Sequence, residues 1–259
     1  MSNTLTIAIV QANLVWEDIE VNINNFTQLV QNIDKAVDIV ILPEMFTTGF
    51  SMNAQKLAQT MQGDTVSWMQ SIAVEMGFAI CGSIIVEDDG KYYNRFIFVT
   101  PQGKMHTYNK RHLFTYADEN KFYTSGNKQL IFNYLGWRIM PQICYDVRFP
   151  VWSRNKEKYD LLINVANFPA ERRDAWTTLL KARAIENQCY VAAANRVGTS
   201  GMGIYYSGDS MIIDAHGQAI AAALPGQDRI IVGTIYMDKL LQFRKDFPVL
   251  PNADAFNLL

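Results

Sequence analysis

Several short segments of the chain are almost entirely apolar and rich in β-branched residues. Val37–Leu42, Phe78–Val86 and Leu161–Val165 are the clearest of them. A strand with one face in water alternates apolar and polar residues, whereas a continuous apolar run is expected of a strand that is covered on both faces. These segments therefore predict a buried sheet with other layers packed on each side of it.

Amphipathic helices and hairpins are predicted between these strands. Apolar residues recur every three or four positions over 19–33, after the capping residue Asp18, and again over 175–187. A further helix is predicted to be capped by Asp64 and to end at Gly77. Turn residues separate strands that pair as hairpins: 92–100 with 104–108, 130–134 with 137–143, and 210–214 with 218–222. This mixture predicts an α/β fold of mixed sheets with helices outside.

The 259 residues are expected to form a single domain, over 1–259. No Ser- or Pro-rich linker and no internal repeat divides the chain, and a chain of this length buries enough surface for a large core without disulfides. The segment 247–259 is too apolar to remain in solvent. We expect it to pack on its own body or on a partner subunit.

The charge balance and the cysteines exclude several classes of protein. Lys and Arg number 23 against 25 Asp and Glu, so a basic nucleic-acid-binding surface is not expected. Cys81, Cys144 and Cys189 are an odd number at wide spacings, which suggests no disulfide framework. No apolar run is long enough to span a membrane, and the first ten residues lack the Lys or Arg of a signal peptide. We therefore expect a cytoplasmic protein without membrane or nucleic-acid partners.

Three residues of catalytic type each follow a predicted strand: Glu44 in LPEMF, Lys110 in YNKRHLF and Cys144 in ICYDVRFP. A carboxylate among apolar neighbours can act as a base, and an ammonium can stabilise an oxyanion. A thiol near the N–H groups of a turn or helix start is more easily ionised. Taken singly, each residue has a simpler interpretation, namely an ion pair at the sheet rim, a solvated basic turn and a small buried apolar residue.

The sequence lacks the motifs of several other catalytic classes. His106, His112 and His216 lack the spacing of metal ligands, so no metal site is expected. The G-x-S-x-G motif of serine hydrolases is absent, and no His lies in a segment typical of a cysteine peptidase. The glycine-rich run 198–203 does not open a helix, so we interpret it as a flexible loop rather than a phosphate site.

Together these segments resemble the nitrilase, or carbon–nitrogen hydrolase, superfamily, whose members carry a catalytic Glu, Lys and Cys in this order. Glu44, Lys110 and Cys144 match them, and Glu119 matches a second Glu that members carry between the Lys and the Cys. The resemblance spans nearly the whole chain. It implies an αββα four-layer sandwich, with mixed sheets inside and helices outside, and a homodimer with the tail 247–259 at its interface.

The resemblance also implies a mechanism that needs no cofactor. Glu44 would deprotonate Cys144, and the sulfur would attack an amide carbon to form a thioester. The Lys110 ammonium and the backbone N–H of Tyr145 would hold the oxyanion. Glu119 would orient Lys110 or assist the water that hydrolyses the thioester.

Longer segments resemble the omega-amidase branch, whose members hydrolyse the side-chain amide of 2-oxoglutaramate and 2-oxosuccinamate. These segments are 42–52, 144–155, 164–176 and 181–198. Such a dicarboxylic substrate needs a cation for its distal carboxylate, and an arginine fork binds both oxygens. Arg173 is the predicted partner, with Arg172 and Arg148 as alternatives.

The resemblance also implies that Asn167 and Phe168 line the substrate pocket. Two arginines have a simpler interpretation as members of structural ion pairs: Arg148, and Arg183, which falls on the apolar stripe of its helix and should be buried with a partner.

Two further interpretations stay open. The same catalytic residues serve hydrolases of N-carbamoyl amino acids, aliphatic amides or deaminated glutathione, and the pocket for the acyl group decides among them. A non-catalytic scaffold that retains the fold is the alternative from another class. The presence of Glu44, Lys110, Glu119 and Cys144 argues against that scaffold.

Overall fold

The computed structural model describes residues 3–34, 36–156 and 158–258. Within these ranges the chain forms fourteen strands and seven α-helices. The strands are β1 Thr4–Gln11, β2 Ile39–Ile41, β3 Ala79–Asp88, β4 Lys91–Val99, β5 Met105–Asn109, β6 Phe132–Tyr134, β7 Trp137–Ile143, β8 Leu161–Ala166, β9 Tyr190–Asn195, β10 Val197–Thr199, β11 Tyr205–Ser207, β12 Met211–Ile213, β13 Ala219–Ala222 and β14 Arg229–Tyr236. The helices are α1 Ile19–Gln31, α2 Ala54–Leu57, α3 Asp64–Met76, α4 Glu119–Phe122, α5 Pro150–Ser153, α6 Arg173–Asn187 and α7 Met237–Asp246.

The strands form two six-stranded sheets and a small ribbon. The first sheet has the order β14-β1-β2-β3-β4-β5, and the second has the order β13-β12-β9-β8-β7-β6. The central strands β1, β2 and β3 are parallel, as are β7, β8 and β9, whereas the outer strands join them antiparallel. Strands β10 and β11 pair separately. Both large sheets are therefore mixed, as the sequence predicts.

The two sheets face each other, and helices cover their outer faces. Ile41 of β2 lies in the core that the two sheets share. Its neighbour on the strand, Val40, points to the opposite face of the sheet and packs under α1 and α3. This alternation follows from the two-residue period of a strand. Trp176 and Leu180 of α6 belong to the core of the second sheet. The predicted αββα sandwich is thus confirmed.

Local signals place most of the helix ends correctly. The Asp18 side chain accepts from the backbone N–H of Val21 at 3.1 Å and caps α1, as predicted. Helix α3 is capped one residue earlier than predicted, at Gly63, and Asp64 is its first residue. Gly77 ends α3 with φ +79°, a conformation that glycine adopts without steric cost.

The glycine-rich run lies partly in a strand and partly in the turn that follows it. Residues 197–199 and 205–207 form the antiparallel ribbon β10–β11, and the run 198–203 includes its turn. The loop interpretation is therefore wrong for Gly198 and Thr199, which lie in β10. Strands of three residues that contain glycine carry too little periodicity to be recognised from sequence.

The tail lies against its own chain. The Phe247 carbonyl accepts from Gln188 Nε2 at 2.7 Å, and the Lys156 ammonium lies 4.4 Å from the centroid of the Phe256 ring. Phe247 remains 62% exposed, so the tail keeps apolar surface outward. The placement of 247–259 at a dimer interface stays a prediction, and its last residue, Leu259, lies outside the described residues. No helix in the described part of the chain is long and apolar enough to cross a membrane.

Candidate active site

Three buried charged side chains meet at the carboxyl ends of β2 and β5. Glu44 lies shortly after β2, Lys110 directly follows β5, and Glu119 is the first residue of α4. The Lys110 Nζ atom lies 2.9 Å from Glu44 Oε1 and 3.0 Å from both Glu119 carboxylate oxygens. All three side chains are fully buried, and buried charges require such pairing. The structure thus brings three of the predicted catalytic residues into one cluster.

The carboxylates determine the protonation state of Lys110. Burial alone would lower the pKa of the Lys110 ammonium, but Glu119 and Glu44 more than offset burial and hold that pKa above its ordinary value. The pKa of Glu119 is raised, because burial and the Glu44 charge outweigh the opposing effect of Lys110. Lys110 therefore remains an ammonium at neutral pH and is available to stabilise negative charge.

Two asparagines hold the Glu44 carboxylate in place. Asn94, within β4, donates from Nδ2 to Oε1 at 2.7 Å, and the backbone N–H of Asn167 donates to Oε2 at 2.8 Å. The Asn167 side chain also donates to the Glu44 carbonyl oxygen at 2.5 Å. These partners fix the position of both carboxylate oxygens and of the Glu44 backbone. The sequence alone does not identify Asn94 as a site residue. Its only indication there is an amide side chain within a strand that is otherwise largely apolar.

Cys144 begins the turn that follows β7. Its φ is +45°, in the left-handed region that non-glycine residues rarely adopt, and such backbone strain clusters at functional sites. The thiol lies near enough to the Glu44 carboxylate to feel its charge. Burial raises the pKa of the thiol, Glu44 raises it further, and Lys110 opposes both effects. The sulfur is therefore held as a thiol beside a carboxylate that can accept its proton.

Asp146 connects the turn after β7 to the loop that carries Lys110. Its fully buried carboxylate accepts through Oδ2 from the backbone N–H of Ile143 at 3.1 Å and from the Tyr108 hydroxyl at 2.8 Å. Through Oδ1 it accepts from the backbone N–H of His112 at 2.9 Å, and His112 Nδ1 lies 2.8 Å away. Tyr108 and His112 lie two residues before and two residues after Lys110. The Asp146 carboxylate therefore connects the loop that carries Lys110 to the turn after β7.

We expect Asp146→Asn to lower both stability and turnover. Each carboxylate oxygen accepts from a backbone N–H, so in either orientation the –NH2 group of an Asn faces a donor. The free energy of unfolding should fall by about 1–3 kcal/mol, the cost of leaving a buried polar group unsatisfied. Turnover should fall through kcat more than through KM. Thermal unfolding and steady-state kinetics measure both, with Asp254→Asn in the exposed tail as control, and unchanged values would contradict this role.

Cys144 opens into a cavity of about 490 Å³, a volume that includes its open mouth. Lys110 and Asn167 line it beside the thiol. Most of the wall is aromatic or apolar: Phe50, Phe114, Ala117, Tyr145, Phe168, Pro169, Ile204 and Tyr206. An apolar cavity with a few placed polar groups is typical of a small-molecule site. The structure thus places Asn167, Phe168 and Tyr145 at the cavity, while the oxyanion-binding role of the Tyr145 N–H stays a prediction.

The arginines of the cavity are not the one predicted. Arg148 and Arg172 line the wall, with guanidinium carbons 5.5 and 5.4 Å from aromatic ring centroids. Arg173 is exposed and pairs with Asp209 at 2.5 Å, away from the lining residues. The structure therefore does not bring Arg173 to the cavity, because α6 begins at this residue and directs its side chain toward Asp209.

The predicted structural role fits Arg183 but not Arg148. Arg183 is 3% exposed, pairs with Glu186 at 2.6 Å and donates to the Val147 carbonyl at 2.6 Å. Arg148 takes part in no ion pair among the described residues. In the same part of the chain, no group of His, Cys, Asp and Glu side chains is arranged to hold a metal ion.

An αββα sandwich that gathers buried Glu, Lys and Cys side chains beside one cavity defines a hydrolase of carbon–nitrogen bonds. The carbon–nitrogen hydrolase family model matches residues 6–245, and this chain belongs to that family. The resemblance to the nitrilase superfamily is thereby confirmed.

The relatives are similar over nearly the full chain. The chain is 45% identical to the omega-amidase YafV of Escherichia coli strain K12, with 98% of each protein covered. It is 32% identical to the 2-oxoglutaramate amidase of Bacillus subtilis strain 168, over 94% of this chain and 95% of that one. Among solved structures, the CN-hydrolase superfamily protein XC1258 of Xanthomonas campestris matches with a TM-score of 0.97 and 41% identity, over 99% of this chain and 100% of that one.

Proposed function

We propose that this protein is an omega-amidase that hydrolyses the terminal amide of 2-oxoglutaramate or 2-oxosuccinamate to the 2-oxo dicarboxylic acid and ammonia. The similarity to the two amidases named above supports the reaction. The proposed substrate class rests on one observation. Arg148 and Arg172 line the cavity of Cys144 and have no carboxylate partner among the described residues.

The two guanidinium groups suit a substrate with a distal carboxylate. Arg148 lies four residues after Cys144 on the same turn, and Arg172 lies on the segment before α6. Their positions at the wall allow a carboxylate to be bound while the amide at the other end of the molecule reaches the sulfur. Arginine binds carboxylates through two parallel hydrogen bonds, which also orients the substrate.

The same charges favour the keto-amide over the corresponding amino acid. Glutamine and asparagine carry an α-ammonium where the keto-amide carries a neutral carbonyl. In a cavity that already contains the guanidinium groups of Arg148 and Arg172, another cation meets like-charge repulsion. The site therefore favours 2-oxo amides without needing a group that binds the oxo oxygen.

In the proposed reaction Glu44 takes the proton of the Cys144 thiol, and the sulfur forms a bond to the amide carbon. The Lys110 ammonium and the backbone N–H of Tyr145 stabilise the charge on the oxygen. Glu44 returns the proton to the nitrogen, the carbon–nitrogen bond breaks and ammonia leaves a thioester on Cys144. Glu44 then activates a water molecule that hydrolyses the thioester and restores the thiol, while Glu119 holds Lys110 in position.

Ammonia release from the purified protein tests the proposal. We would compare 2-oxoglutaramate with glutamine, asparagine, an N-carbamoyl amino acid and a simple aliphatic amide. The proposal requires turnover of the keto-amide with little release from glutamine. Turnover of another amide alone would keep the family chemistry and overturn the substrate class. No release from any of these compounds would favour a non-catalytic scaffold.

We expect Arg172→Ala to weaken turnover of the keto-amide, with Arg173→Ala as its matched control. The kcat/KM should fall about 10- to 100-fold, which corresponds to the ~1.5–3 kcal/mol of a hydrogen bond to a charged group. Arg173→Ala should keep kcat/KM within about twofold of that of the unaltered protein, since the half-exposed Arg173 side chain lies outside the cavity. Steady-state kinetics measure both variants, and equal losses in the two would contradict the assignment.

The proposal includes a cytoplasmic homodimer in which residues 1–259 form one domain. Three free, buried cysteines agree with a reducing compartment. Phe247 and Leu258 of the tail and Leu241 of α7 leave apolar surface exposed, which suits contact with a second copy. Sedimentation equilibrium measures the mass of the assembly, and a monomer at micromolar concentration would contradict this part.

A further inference from the structure

Arg196 is a fully buried cation without a buried counter-ion. It directly follows β9 and is 0% exposed. Its Nε donates to the Val197 carbonyl at 3.1 Å, and its Nη2 donates to Asn13 Oδ1 at 2.9 Å and to the Leu14 carbonyl at 3.1 Å. Nη1 has no hydrogen-bond partner among the described residues. Burial of an unpaired charge is costly, so packing alone is a poor reason for an arginine here.

The Arg196 side chain remains charged at neutral pH. Burial lowers its pKa to about 10, and the neighbouring Tyr206 acts in the opposite direction. Among the described residues, no carboxylate lies within ion-pair distance of the guanidinium. Asp228 accepts from the backbone N–H of Asn13 at 2.6 Å and forms no ion pair with Arg196. The positive charge is therefore present and largely uncompensated.

This charge lies directly behind the cavity wall. The Arg196 guanidinium is 4.8 Å from the centroid of the Tyr206 ring, and Tyr206 lines the cavity of Cys144. Nη1 also lies 3.4 Å from the point that a Cβ on Gly49 would occupy, and the next residue, Phe50, lines the same cavity. Only a thin apolar layer therefore separates the Arg196 charge from the cavity. The electric field of the guanidinium is screened much less by this layer than it would be by water.

The glycine-rich run allows this arrangement. A Cβ on Gly198 would lie 2.2 Å from Asn13 Oδ1, and one on Gly201 would lie 2.4 Å from the ring of Trp16. Only glycine lets the β10–β11 ribbon approach the segment 13–16 this closely. The segment 13–16 also accepts hydrogen bonds from Arg196. The close approach therefore places Tyr206 of the ribbon between the Arg196 guanidinium and the cavity.

We propose that Arg196 is a positioning residue that makes the cavity selective for anionic substrates, acting through the Tyr206 wall without touching them. This inference rests on the proposed function for the identity of the anion, an amide with a distal carboxylate. The charge of Arg196 adds to those of Arg148 and Arg172 and raises the positive potential at Cys144. The potential acts alike on the thiolate and the oxyanion of every amide, so anionic substrates differ from neutral ones through the additional attraction of their carboxylate.

Alkylation of Cys144 by iodoacetate and by iodoacetamide tests the inference independently of any substrate. Both reagents place a two-carbon group on the sulfur and release iodide, but only iodoacetate is an anion. The decisive variant is Asn13→Asp, which keeps the size and the acceptor of Asn13 and supplies Arg196 with a counter-ion. We expect the ratio of the iodoacetate rate to the iodoacetamide rate to fall about three- to tenfold, while the melting temperature stays or rises.

Two further variants separate charge from packing. Arg196→Lys keeps the charge and should retain the ratio within about twofold, whereas Arg196→Met removes the charge and should lower the ratio as Asn13→Asp does. The comparison of Arg196→Lys with Arg196→Met decides the question if Asn13→Asp fails to fold. A ratio that is unchanged in folded Asn13→Asp or in folded Arg196→Met would overturn the inference. Absence of keto-amide turnover, by contrast, would overturn only the proposed function.

Discussion

Cys144→Ala is expected to release no measurable ammonia from any amide while the protein keeps its fold. The variant lacks the atom that forms the acyl bond, and removal of a catalytic nucleophile typically lowers kcat by about 10⁴–10⁶-fold. Cys144 is 9% exposed at the edge of the cavity, so loss of its sulfur leaves no large void. Ammonia assays and circular dichroism on the same sample measure activity and folding together.

Cys81→Ala is the matched control for this experiment. Cys81 is also free and fully buried, but it lies in the core between the two sheets, away from the cavity. Its replacement should cost about 1 kcal/mol of stability, as is typical of a small core truncation, and should leave kcat unchanged. Iodoacetamide should label the native protein at Cys144 before it labels Cys81 or Cys189. Turnover by pure Cys144→Ala protein would contradict the assignment of the nucleophile.

The sequence could predict where the catalytic residues lie because each of them follows a strand. Glu44 and Cys144 come after β2 and β7, whose apolar residues are recognisable without a structure, and Lys110 follows β5, the second strand of a hairpin that turns at 101–103. Strand direction and sheet order then bring these chain positions together. Glu44 and Lys110 follow strands that run in the same direction in the first sheet and so end at one edge of it. Cys144 follows a strand of the second sheet, and the packing of the two sheets face to face brings it beside them.

The partners that hold these residues could not be predicted in the same way. Asn94 reaches Glu44 from β4, and Asp146 reaches His112 from the turn after β7. Both contacts join residues that are far apart in the chain, and neither follows from the period of a helix or strand. Such hydrogen bonds depend on side-chain directions that only the assembled fold determines.

The sequence could not show which of the neighbouring arginines lines the cavity, for a related reason. Arg172 ends a short 3-10 turn, and Arg173 begins α6. Consecutive residues of a helix point about 100° apart, so a shift of one residue decides whether a side chain faces the cavity. Arg183, by contrast, lies in the middle of α6 on its apolar stripe, where the phase is well defined, and its burial follows from the sequence.

The second large effect is expected for Glu44→Gln. An amide cannot take the thiol proton, and loss of a general base typically lowers the rate by about 10²–10⁴-fold. The carboxylate also accepts at Oε1 from Lys110 and Asn94 and at Oε2 from the backbone N–H of Asn167. In either orientation, the –NH2 group of a Gln faces one of these donors. The kcat for amide hydrolysis should therefore fall steeply, and Glu75→Gln on the exposed face of α3 should leave it unchanged.

Alkylation distinguishes a base that acts on the thiol from a residue that only holds Lys110. Glu44 is the carboxylate that acts most strongly on the Cys144 thiol, whereas Glu119 contacts Lys110 and the Phe114 backbone. Glu44→Gln should slow the reaction of Cys144 with iodoacetamide as well as turnover, because Glu44 takes the proton as the sulfur attacks, although loss of the Glu44 charge by itself lowers the pKa of the thiol. Glu119→Gln should lower turnover with a smaller change in alkylation. If Glu44→Gln lowered turnover and left alkylation unchanged, the base for the thiol would have to be sought elsewhere in the cluster.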